Sequence, residues 1–127
     1  MNNTTTSYDR EKGPLERDSI SLSRMVWTLC RQLSPRVSFE RPVLSQFLRA
    51  GTSVGANICE AQYAESKKDF VHKLKIAEKE LAELTYWLDI ISTDPALVTK
   101  DDLGFIVDKL VNVRRMLASA IRTAKER

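Results

Sequence analysis

From Phe70 to Ile91, apolar residues recur at three- and four-residue intervals: Phe70, Leu74, Ala77, Leu81, Leu84, Leu88 and Ile91. That period places all of them on one stripe of a long helix, whereas the two-residue alternation of a strand would scatter them over both faces. A helix with a single apolar stripe cannot bury it alone, so the rest of the chain must supply partners. Three more segments read as those partners. Leu22, Met25, Val26, Leu29 and Leu33 mark a first helix ending near Pro35. A second runs through Phe47, Val54 and Ile58, with Ser38 as the expected cap and Pro42 in the first turn, where a missing amide donor does no harm. Ser66 and Asp69 form a capping-box pattern that starts the third helix, and Asp94 and Pro95 end it. A fourth opens at Thr99 or Lys100, with Asp101 and Asp102 in its first turn, and carries Leu103, Ile106, Leu110, Val113, Leu117, Ala120 and Ala124 on one stripe.

Four amphipathic helices with short connections bury their stripes most simply against one another. The expected fold is therefore all-α, an antiparallel up-down-up-down four-helix bundle over residues 16–127. Residues 1–15 are polar, contain Gly13 and Pro14 and show no period, so they are expected to form a disordered tail. Val71, Trp87 and Ile90 on the third helix, and Val107, Val111 and Ile121 on the fourth, widen the apolar faces. The surplus either meets neighbouring subunits or thickens the core of a monomer.

The 127 residues suit one domain, and no apolar run approaches the roughly 18 residues that cross a bilayer. With no signal-peptide pattern, a cytoplasmic protein without a membrane partner is expected. Cys30 and Cys59 fall in apolar helical patterns and read as buried free thiols. Enzyme chemistry finds little material. The single histidine, His72, sits among charged residues and cannot by itself make a metal cluster, and no glycine loop follows a strand to cradle phosphate. Neither a catalytic residue nor a metal or cofactor site is expected.

The second helix is unusual for its small residues. Gly51 and Gly55 lie four apart on one face, and each costs about 1 kcal/mol relative to alanine unless close packing returns it. They are expected to let a neighbouring helix approach closely. Asn57 and Glu60 share a face beyond them, and Glu83, beside the core position Leu84, could meet them across the bundle. If buried, these three would form a polar network that sets register.

The formal net charge is +3, but it is unevenly placed: from Lys109 onward stand Lys109, Arg114, Arg115, Arg122, Lys125 and Arg127 against the single acid Glu126. Repeated around an assembly, such a patch could hold phosphate backbone; alone it could equally be ordinary surface. No interleaving of aromatic and basic residues is apparent that would mark a base-stacking platform.

The run LRAGTSVGANICEA from Leu48 to Ala61, SKKDF from Ser66 to Phe70 and LKIAEKELAEL from Leu74 to Leu84 resemble the S23 ribosomal protein family, four-helix bundle proteins encoded by intervening sequences of bacterial 23S rRNA genes. Gln46, Arg49, Ala50, Ser53, Ala56, Asn57, Ile58 and Glu60 match that family's central helix, and Ser66, Phe70, Leu74, Ala77 and Glu83 its third. Leu48, Gly55, Ala61 and Ala64 depart from it. The resemblance implies a bundle without enzymatic activity that assembles as a ring, typically a pentamer. Two functions remain open at this point: a non-catalytic homo-oligomer that binds RNA or DNA nonspecifically through its C-terminal basic patch, or a protein-protein interaction or assembly module that binds no nucleic acid.

Overall fold

The computed structural model describes residues 11–127. Four helices follow one another, α1 (Pro14–Leu33), α2 (Arg41–Ala61), α3 (Lys67–Ile91) and α4 (Lys100–Glu126), with one 3-10 turn, Ser34–Arg36, after the first. Their starts have local chemical causes. Pro14 opens α1 where an amide would have had no partner within the helix. Ser66 Oγ accepts from the Asp69 amide at 3.0 Å, and the Asp69 carboxylate accepts in turn from the Glu65 amide at 3.2 Å. Thr99 Oγ1 accepts from the Asp102 amide at 3.1 Å, with Asp101 and Asp102 placed against the positive end of α4.

Two boundaries differ from expectation. Pro14 and Leu15, assigned above to the tail, are the first two residues of α1; residues 1–10 of that expected tail lie outside the described residues. Ser38 does not cap α2. Its carbonyl accepts from the Arg41 amide at 3.3 Å in a turn, and α2 begins after Glu40 with no side-chain cap. Pro42 in the first turn leaves one donor fewer to satisfy there.

Contacts between helices show the topology. Ser23 meets Gly51 while Cys30 meets Leu44, so α2 runs against α1. Arg49 reaches Glu80 and Glu83 while Glu60 reaches Lys73, so α3 runs against α2. Asp18 meets Lys109 on α4, whereas the α1 residues Met25 and Leu29 share a groove with Asp102 and Phe105. The bundle is thus antiparallel throughout and closes α4 against both α1 and α3.

The stripes make one core: Leu22 and Val26 of α1, Phe47, Val54 and Ile58 of α2, Leu74 and Leu84 of α3, and Val113 and Leu117 of α4 are fully buried. Each such side chain contributes about 1.5–3 kcal/mol. Of the apolar residues beside the stripes, Ile121 joins the core, Trp87 and Val71 are half-buried, and Ile90, Val107 and Val111 stay exposed. No helix of the described residues is long and apolar enough to cross a membrane.

Candidate nucleic-acid interface

The small residues of α2 sit where α1 crosses it. A Cβ on Gly51 would lie 2.7 Å from Val26 Cγ1, and one on Gly55 would lie 2.9 Å from Ser23 Oγ and 3.3 Å from the Ser19 carbonyl oxygen. The Ser23 hydroxyl donates to the Gly51 carbonyl at 2.8 Å, using a backbone acceptor that only this proximity brings within reach. Both glycines therefore lie at the contact between α1 and α2.

Asn57, Glu60 and Glu83 are not brought together in the protomer. Asn57 Nδ2 donates to the Ser53 carbonyl at 2.9 Å, one turn back on its own helix. Glu60 points to solvent and pairs with Lys73 at 3.1 Å. Glu83 accepts from Arg49 at 2.6 Å and from the Trp87 indole at 3.0 Å. A different polar unit replaces the expected network: Arg49 of α2 forks to Glu83 and, at 3.1 Å, to Glu80. The hydrogen bond from Arg49, and secondarily that from Trp87, holds the Glu83 carboxyl below its usual range. The same pairing raises the Arg49 pKa. With Lys73–Glu60, this clamp ties α2 to α3.

The C-terminal basic run divides. At about 100° per residue, Arg114, Arg115, Arg122 and Lys125 fall within an arc of roughly 100° on α4. All four are exposed. Arg115 donates to Asn112 Oδ1 at 2.8 Å, and none of the four makes an ion pair among the described residues. Arg114 shares the α3/α4 groove with Glu78 without pairing to it. Lys109 lies on the opposite side of α4, at the α1 seam, 3.5 Å from Asp18 Oδ1, where Asn112 also donates to Asp18. Arg127 ends the chain, its backbone carbonyl accepting from Lys67.

A second basic face was not anticipated. Arg17, Ile20, Arg24, Trp27 and Arg31 recur every three or four residues along α1, the arginines one heptad apart. The period turns them away from the core, and Trp27 is 53% exposed between Arg24 and Arg31. The signal was present in the sequence as an Arg heptad enclosing a tryptophan, so the expectation of no aromatic-basic interleaving is corrected.

Cys30 and Cys59 are not joined by a disulfide. Cys30 is buried, and desolvation pushes its thiol up to about 11; Cys59 is only half-buried, lining the α1/α2 groove. Among the described residues, no three His, Cys, Asp or Glu side chains could share a metal ion.

No curated protein matches the chain. Among solved structures it is similar to a protein of unknown function from the S23 ribosomal protein family of Bacteroides thetaiotaomicron VPI-5482, 33% identical, with a TM-score of 0.74 over 84% of this chain and 97% of that one. Residues 15–119 match the 23S rRNA-intervening sequence protein family, and with the bundle and its α2 and α3 motifs in agreement, the chain belongs to that family.

Proposed function

We propose that this is a cytoplasmic, non-catalytic bundle protein that self-associates and binds RNA or DNA backbone without sequence preference through the outward face of α4. The observation that carries the reading is the placement of Arg114, Arg115, Arg122 and Lys125 on one solvent-facing arc with no acidic partner among the described residues. Four cations free of ion pairs among the described residues keep their charge available to phosphates, which carry no sequence information. Two cysteines outside any disulfide fit a reducing compartment. Self-association, most simply as a ring of five, would repeat the patch and multiply a weak affinity.

Titration of labelled RNA and DNA duplexes tests this. If four phosphates are contacted, affinity falls about 100-fold between 50 and 200 mM salt. Reversing the charge of Arg114, Arg115 and Arg122 removes the binding. Salt-independent binding, or none at low salt, rules the reading out. The rival, a protein-interaction module, is favoured by the half-exposed Val107 and Val111 beside the patch. Binding of a protein partner lost on Val107→Ser and Val111→Ser, with nucleic acid never bound, would favour it.

A further inference from the structure

The outward face of α1 has a composition that the core does not require. α1 and α2 together hold three acids, and none faces outward unpaired: Glu16 is buried, Asp18 is held by Lys109 and Asn112, and Glu60 is held by Lys73. Arg17, Arg24 and Arg31 make no ion pair among the described residues, and the Arg17 guanidinium donates to the Lys12 carbonyl. Asp102 of α4 shares the groove on the other side of α1 with Arg24 and forms no ion pair with it. At 1.5 Å per residue the three arginines stand about 10 Å apart, and a heptad repeat drifts only about 20° per step, so they stay in line. Trp27 lies on that line with 53% of its surface in solvent. Beside it the α1/α2 groove is floored by Gly55 and Ala56 rather than by long side chains, which leaves room next to the indole for another flat ring.

A tryptophan face flanked by unneutralised guanidinium groups matches a strand with accessible bases and charged phosphates. A duplex would present only phosphates here, because its bases are stacked within it. We infer that the α1 face binds single-stranded nucleic acid, with an unpaired base stacking on Trp27 and phosphates held by Arg24 and Arg31. This surface is separate from the α4 patch and chemically different from it. Either can fail without the other.

The test uses the full chain, fluorescence anisotropy with an oligothymidine of about 16 nucleotides, and a duplex of equal length as the second probe. Trp27→Ala is expected to weaken oligothymidine binding about tenfold, and Trp27→Phe to restore most of it, while duplex affinity is unchanged. Combined Arg24→Glu and Arg31→Glu should weaken single-strand binding at least as much as Trp27→Ala does, and more than duplex binding, in a protein of native melting temperature and native assembly mass. Quenching of tryptophan emission by oligothymidine in the native chain, lost in Trp27→Phe where Trp87 is the remaining tryptophan, provides a second readout. Equal oligothymidine affinity for Trp27→Ala and the native protein overturns the inference. So does a parallel loss for single strand and duplex. A change of assembly mass on Arg24→Glu and Arg31→Glu would overturn it by placing the face between subunits, and a blue shift of the emission with phosphatidylserine vesicles but no quenching by oligothymidine would overturn it in favour of a membrane.

Discussion

Gly51 and Gly55 look equivalent in sequence and are not equivalent in space. The neighbour of Gly51 is Val26, whose Cγ1, Cγ2 and Cβ would all lie within 3.0 Å of an added Cβ. A β-branched side chain buried in the core has no alternative rotamer to retreat into. Gly51→Ala is therefore expected to destabilise by about 1–3 kcal/mol, since overpacking outweighs the roughly 1 kcal/mol of helix propensity gained. Gly55→Ala displaces a serine hydroxyl that can rotate, though turning it away breaks the bond to the Gly51 carbonyl, so its loss should be smaller. Chemical denaturation of the two variants checks the order. Cys30 makes a second prediction at this scale. Its thiol stays protonated at neutral pH and is shielded from solvent, so iodoacetamide at pH 8 should label it only after unfolding, as peptide mapping would show.

At the scale of the helix, the polar clamp between α2 and α3 gives stability a pH dependence. The folded-state pKa of Glu83 is depressed, so the stabilisation is present above the ordinary carboxylate value and is lost as pH falls through the depressed one. Melting temperatures of the native chain and Glu83→Gln should differ at pH 7 and converge as pH falls below the depressed Glu83 value. Ser66→Ala removes the α3 cap and should cost about 1 kcal/mol at any pH where the protein folds. The apolar stripes and the caps at Ser66 and Thr99 were legible in the sequence because side-chain period and capping are local properties. The partners of Asn57 and Glu83 were not, because the choice between Ser53 on the same helix and Arg49 on another depends on how the helices are rotated. The α1 stripe is legible only as a line along one helix face, because Arg17, Arg24 and Arg31 stand seven residues apart rather than in a contiguous basic run. The run from Lys109 to Arg127 shows the converse: contiguous in sequence, it splits between the solvent, the α1 seam and the chain end.

For the whole molecule, the exposed Ile90, Val107 and Val111 leave apolar surface on the outside of a bundle whose core is already filled. Sedimentation equilibrium at micromolar concentration should therefore give a mass above the 14.5 kDa protomer, and a five-fold multiple if the ring is a pentamer. A sharp protomer mass would show that the surplus apolar surface does not assemble copies of this chain. One consequence lies in how α4 is attached. α2 is joined to α1 through the Ser23–Gly51 bond and to α3 through paired charges, whereas Lys109 and Asn112 of α4 converge on one carboxylate, that of Asp18, and the only other such tie of α4 among the described residues is the bond from Lys67 to the carbonyl of Arg127, beyond its last turn. Amide hydrogens of α4 should accordingly exchange with deuterium through partial openings that leave the other three helices protected, and any polyanion held by Arg114 and Arg122 should slow exchange in that helix before it changes the melting of the whole.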